Sequence, residues 1–488
     1  MKLKSITQST LIKILIFTLG LLLIGWELAP GIQAANLRAQ AACGPNGVGS
    51  SAALRAAINQ ANKPGAAAEI ALSPNCIYEL DNQFINDPLD GATNLPYLTR
   101  DLTVIGNGAT LRRPVNTPLY RMLVIEAGVL VTITNVTFEN GQEGASGFGG
   151  AIRLKQDASL TLKNVNFKNN RARIAGGAIH AAPGRLIING GLFENNRVEE
   201  RGGGAIALIG AAVISGAKFI DNQASDAGAL LLTGEVTIDH NEFLRNKARS
   251  GNGGAVHITR ITTDLFLTRN KFFENQAFDG GGAFIRDARS NPLPTLGHVH
   301  IYNNLWVNQI SSDNDHLSIR LVGNNTNSFS VHYNTFVGTL TPTADSTGVA
   351  LRQDRSDQAA ALPALIFNNI FVGHHIALEN TGTLQLALKT NLFFNNRINF
   401  QGSFADPLSF IADPLFTNPA GGNFRLSQGS RAINAATDKG IGLDLDGVAR
   451  PQGGGFDIGA YEFITRNPQD GPGPIPGGRV IYLPMVVK

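Results

Sequence analysis

Charge, sulfur and aromatic side chains are all scarce in this 488-residue chain. Charged residues make up 16% and aromatic residues 7%, with only two cysteines, three methionines and two tryptophans. So little Glu, Lys and Arg disfavours a helical protein, which draws on them heavily. The formal charge of +3 leaves no electrostatic footprint for nucleic acid, and no such partner is expected. After the first 34 residues no apolar run is long enough to span a membrane. What the chain does have is glycine, 55 of them. With low charge, that points to many short strands joined by tight corners.

Residues 1–34 follow the order of a secretory signal. Lys2, Lys4 and Lys13 make a basic start, Leu11 to Ile24 is almost wholly apolar, and small residues follow to Ala34 and Ala35. Loss of this segment takes the formal charge from +3 to +1, since it holds three lysines and one glutamate. A secreted or cell-surface location follows as an expectation. In such a compartment Cys43 and Cys76 predict a disulfide. Between them, Leu54, Ala57, Ile58 and Ala61 keep helical spacing behind Ser50 or Ser51 as N-cap. A lone amphipathic helix ahead of strands reads as a lid on the open end of a solenoid.

Internal repetition decides the fold class. Gly-Gly-Ala-Ile or a close variant begins at Gly149, Gly176, Gly203, Ala227, Gly253 and Gly281, at intervals of 27, 27, 24, 26 and 28. Phe-x-x-Asn begins at Phe167, Phe193, Phe219, Phe243 and Phe272 and keeps step with it. Between the two lie alternating stretches such as Ser159 to Phe167, the period of a strand with one buried face. A unit of this length matches one turn of a right-handed parallel β-helix. About twelve coils at ~4.8 Å each would make a body on the order of 60 Å long. The repeat phenylalanines should point inward and stack.

Beyond residue 290 the glycine motif stops, while the strand pattern and an aligned asparagine persist. Asn241, Asn270, Asn334, Asn369 and Asn391, with Asn303 or Asn304 in the remaining coil, predict a structural ladder of stacked amides. Trp306 falls on the inward pattern and is assigned to the core.

The repeats over residues 138–286 resemble those of polymorphic outer-membrane proteins, surface β-helices associated with adhesion. A second resemblance rests on Ala412-Asp-Pro-Leu-Phe416, Asn423-Phe-Arg-Leu426, Gly429-Ser-Arg-Ala-Ile-Asn434, Asp444-Leu-Asp-Gly-Val-Ala-Arg-Pro451 and Asp457-Ile-Gly-Ala-Tyr-Glu-Phe463. Together these are similar to the choice-of-anchor Q class of secreted β-helix proteins. Ala53 to Asn62 is similar to that class's opening helix, except that Ala56 stands where an acidic residue is common. The resemblance implies fold, export and cell-surface fate, and supplies no catalytic residues. The expected organisation is therefore a signal peptide (1–34), a cap with helix and disulfide (35–100), a β-helix (101–405) and an anchor-like module (406–464). A Pro/Gly linker (465–478) and an apolar tail (479–488) follow.

Related pectin-lyase-like solenoids carry polysaccharide lyases and hydrolases, so catalytic groups need to be sought. The one cluster worth naming is Asp313, Asp315 and His316, with Arg286, Asp287 and Arg320 on neighbouring coils. The bland reading of that loop is a solvated corner. Asp444, Asp446 and Asp457 offer oxygens for calcium, though turn formation accounts for them as well. No other cofactor is expected. His374-His375 has no further ligand at metal spacing and reads as a surface pair. A monomeric, non-enzymatic adhesin that meets extracellular polysaccharide or a surface protein is the expected function. A polysaccharide lyase or glycoside hydrolase and a structural stalk are the alternatives.

Overall fold

The computed structural model describes residues 39–66, 68–82, 84–289, 297–312, 315–323, 328–338, 347–354, 363–381, 385–402 and 409–464. The segment expected to be a signal peptide, the expected linker and tail, and Asp313 lie outside these residues.

Sequence alternation becomes strand alternation directly. Along Ala158–Lys163 buried and less buried residues alternate, and Leu230–Asp239 repeats the pattern over ten residues. Each strand pairs in parallel with its equivalent one coil on, so that 33 strands join a single sheet. One column of the register runs from Ala39 through Ile70, Val104 and Ile133. It continues through Leu162, Ile188, Ile214 and Ile238. Leu267, Ile301, Val331, Ile366 and Leu388 complete it. A separate seven-stranded sheet of two-residue strands, from Gln142–Glu143 to Ile310–Ser311, forms one corner.

Parallel pairing starts earlier than the expected boundary at residue 101. Ala39–Ala41, Val48–Ser50, Glu69–Leu72 and Ile77–Glu79 already belong to the main sheet. These strands are three or four residues long and lack the glycine motif, so periodicity could not register them. Helix α1 (Ser51–Ala61) sits between them, with Ser50 Oγ accepting from the Ala53 N–H at 3.3 Å. Its Leu54 and Ile58 join Ile70, Leu72 and Phe138 around the apolar space at the end of the interior, so the helix is a lid. The Cys43–Cys76 disulfide is present, with Cα atoms 5.9 Å apart.

The predicted aromatic stack is continuous. From Phe138 through Phe167, Phe193, Phe219 and Phe243 to Phe272, centroids are 5.1, 4.9, 4.8, 5.0 and 4.8 Å apart. Trp306 follows at 4.0 Å, and Phe336, Phe371 and Phe393 continue at 5.6, 5.0 and 5.3 Å. The amide ladder also forms, and it selects Asn304. Asn241, Asn270, Asn304, Asn334 and Asn369 each pass an Nδ2–H to the next Oδ1 at 2.9–3.1 Å, ending on Asn391. Asn303 instead turns out to the C-terminal module, where its Oδ1 accepts from Arg450.

A second ladder runs one corner away. It is built from the Asn of Phe-x-x-Asn: Asn170, Asn196, Asn222, Asn246 and Asn275, ending on Gln309, at 2.9–3.0 Å. The other Nδ2–H of each donates to the carbonyl of the phenylalanine one coil back, as Asn196 does to Phe167 at 3.0 Å. The motif was visible in the sequence and its purpose was not.

At the glycine corner, Gly149, Gly176, Gly203 and Gly253 take φ of +66 to +73°. A Cβ at Gly176 would lie 2.1 Å from the Ile179 oxygen. In the last repeat the equivalent residue is Gly280, not Gly281: Val256 pairs with Ala283, and Gly280 has φ +63°. The expected register is therefore corrected by one residue there. The alanine that follows the corner is buried at Ala151, Ala178, Ala205, Ala229 and Ala255, and Gly282 takes its place in the last repeat.

Residues 409–464 lie against the flank of the solenoid. Phe424, Leu445, Ala460 and Tyr461 pack on Leu305, Val307 and Val337. Leu426, Ala432 and Ile458 pack on Ile370, Val372 and Leu392. The Arg450–Glu462 ion pair, at 2.6 Å and fully buried, sits inside the module. Arg450 also lies over the Tyr333 ring at 4.5 Å.

Candidate functional site

The residues expected to carry chemistry are dispersed. Asp315 and His316 begin the strand Asp315–Gly323 and are buried, at 0% and 1% exposure, so the solvated-corner reading is corrected. The reason is register. His316 occupies the column that holds Ala255 and Gly282 in the preceding coils and Gly348 in the next. A Cβ at Gly282 would meet the Trp306 ring, and one at Gly348 the Phe371 ring, so the column faces the aromatic stack. Glycine on either side makes room for the imidazole.

His374 is likewise buried, at 0% exposure, which corrects the surface-pair reading. It takes the place of a ladder asparagine: its backbone N–H donates to Asn396 Oδ1 at 2.9 Å, as ladder residues do. Its ring meets His316 edge-to-face at 4.7 Å. Burial pushes both imidazoles down, His316 well below its ordinary value and His374 to about 4. Neither faces a groove open to a polymer.

Arg286 and Arg320 do come together, in register on an outer column. Asp287 is in register with Leu321 on the adjoining position. The module carboxylates are occupied by the chain itself. Asp444 Oδ1 accepts from Asp446 and Val448 N–H at 2.8 Å, and its Oδ2 accepts from Glu462 N–H at 2.9 Å. Asp457 accepts from Asn434 N–H at 2.7 Å, and burial raises it to about 6. Asp446 pairs with Arg425 and lies 3.6 Å from Lys271. Among the described residues no three His, Cys, Asp or Glu are grouped to hold a metal.

Two features escaped sequence reasoning. The first is an imidazole cluster on the outer face of strand His298–Tyr302. His298 Nε2 shares a hydrogen bond with Ser330 at 2.6 Å and His298 lies 4.3 Å from His300, which stacks on Phe266 at 4.6 Å. His332 stacks on Phe367 at 5.4 Å, and burial, then Lys439 and the two histidines, press it down to about 3. The pattern His-x-His on a strand was its only signal.

The second is a polar groove of about 550 Å³ along the corner after the Phe-x-x-Asn motif. Asn169, Glu194, Asn195, Arg197, Asp221, Gln223, Arg245 and Lys247 line it. Asn169, Asn195, Asp221 and Arg245 occupy the same left-handed position of successive coils, with φ of 57, 53, 55 and 51°. That conformation suits asparagine and aspartate. Arg245 Nε and Nη2 donate to both oxygens of Asp221 at 2.9 and 2.8 Å, which secures the least favoured of the four. Each coil thus offers one polar side chain at the same height above the corner.

The family described as a right handed beta helix region matches residues 122–306. The fold is a right-handed parallel β-helix. The matched span holds the glycine corners, most of the second ladder and the groove, so the coils that carry the groove are regular members of the helix. No curated protein matches the chain.

Proposed function

We propose that this β-helix is an exported, surface-associated protein that binds extracellular glycan or matrix by its flank and performs no chemistry of its own. The corner groove carries this reading. Its polar groups repeat once per coil, every ~4.8 Å, so a repeating polymer laid along the axis meets equivalent partners in successive coils. Export is supported by the basic-apolar-small order of residues 1–34 and by the disulfide behind it. The module resembling an anchor class, and the tail beyond it, fit attachment to a surface. Among the described residues no helix is long and apolar enough to cross a membrane.

The test is a glycan array read together with polymer turnover. Binding of an extracellular polymer with no release of fragments is the expected outcome. Release of fragments from any polymer, in proportion to the purified protein added, would establish a lyase or hydrolase instead.

A further inference from the structure

We propose that the corner groove takes an anionic polysaccharide, laid along the helix axis and held at Arg197 and Lys247. This rests on the reading of the groove as a glycan surface and names the class of glycan. The charges in and beside the groove are not equivalent. Asp221 is closed by Arg245, and Glu194 faces Lys168 at 3.5 Å. Arg171, one coil before Arg197, is taken by Glu199 at 2.7 Å. Among the described residues Arg197 and Lys247 have no carboxylate partner. Arg197 Nε donates to Asn195 Oδ1 at 3.1 Å, which holds the guanidinium against the groove wall. The acidic groups of the groove are thus neutralised from within, and two cations remain for a ligand.

Their spacing adds selectivity. Arg197 is in register with Gln223, and Gln223 with Lys247. Cation, amide and cation therefore follow one another at successive coils, and the two cations stand two coils, about 10 Å, apart. That is comparable to the length of an extended disaccharide. A polymer with one acidic group per disaccharide would place successive acids at Arg197 and Lys247. The intervening neutral sugar would meet the Gln223 amide, whose donors and acceptor suit hydroxyls.

The full chain should be tested against hyaluronan, which carries one carboxylate per disaccharide, and against neutral dextran. Hyaluronan should bind, with affinity falling as salt rises. The double variant Arg197→Gln/Lys247→Gln should weaken it about tenfold or more. A double variant at exposed positions of another face, Lys163→Gln/Arg185→Gln, should bind like the parent. Equal binding of dextran and hyaluronan, or unchanged binding by the groove variant, would overturn the anionic assignment and leave the glycan reading standing. Failure of every extracellular glycan on the array to bind would overturn both.

Discussion

The coils before residue 290 and those after it enclose one aromatic stack and present different outer faces. In the earlier coils the outer positions beside the stacked phenylalanines mix charge with apolar residues: Lys168 faces Glu194 at 3.5 Å and Lys218 faces Glu242 at 2.8 Å, with Leu192, Ile220 and Leu244 on the other sides of the rings. In the later coils the same positions are Leu305, Val307, Val337, Ile370, Val372 and Leu392, all buried beneath the C-terminal module. The inward pattern repeats because every coil must fill the same interior. Outward residues answer to whatever covers them. The first stretch is left open to solvent, and the second is an internal interface.

If the interior is common to both stretches, truncating the stack should cost the same in each. Phe219→Ala and Phe336→Ala remove fully buried rings. Each should destabilise by about 3–5 kcal/mol in denaturant titration. A loss several kcal/mol smaller in the later coils would show that the module, and not the stack, holds them together.

Acid should act on both stretches, through His180 in the earlier coils and a histidine pair in the later ones. The pair His316–His374 lies only in the later coils, and its folded-state pKa values are depressed by burial. As pH falls below about 6.5 the unfolded chain takes up protons that the folded chain refuses, so stability is lost. For His374 the interval from 6.5 to about 4 corresponds to roughly 3 kcal/mol, fully lost by pH 4. His374→Asn restores the ladder residue and should remove much of this slope in thermal melts between pH 7 and pH 4. An unchanged slope would place the acid sensitivity elsewhere, as at His180 or His332.

The outer faces should differ by a smaller amount. Val337→Ser strips a methyl pair from the module interface and should cost about 2 kcal/mol. Ile220→Ser, at the equivalent position of an open coil, should stay within about 0.5 kcal/mol. Equal effects would mean that the module adds nothing at this face.

Periodicity made the interior legible: the stack, the first ladder, Trp306 and the lid helix were all readable from spacing. The disulfide followed from the expected export of a chain with two cysteines. What stayed hidden depends on which coil lies above which. The sequence shows His316 in a polar segment, and only the register of Gly282 and Gly348 turns it inward. His374 reads as half of a histidine pair until it is placed in the asparagine column. The groove was unreadable because Asn195, Arg197 and Lys247 are ordinary surface residues until stacking aligns them. Outer-face polarity was only partly legible by phase: the column that holds Lys168 and Glu194 turns apolar at Ile220 and Leu244, before it reaches Val307 and Val337 beneath the module.

The smallest effect concerns the corner that distinguishes the earlier coils. There the motif places glycine at positive φ in every repeat except one, where Ala227 takes φ 56°. A left-handed alanine costs about 1–2 kcal/mol relative to its preferred conformation. Replacing it with glycine relieves that strain, yet it loosens the unfolded chain by about 0.4–1 kcal/mol. Ala227→Gly should therefore stabilise by about 0.5 kcal/mol, seen as a small rise in denaturation midpoint. The reverse change at the preceding coil, Gly203→Ala, should destabilise by more, because a Cβ there would lie 2.2 Å from the Ile206 oxygen. If Ala227→Gly lowers stability instead, the buried Ala227 methyl contributes packing that outweighs its backbone strain. The glycine rule of the corner would then describe the close approach of backbones and not the sign of φ.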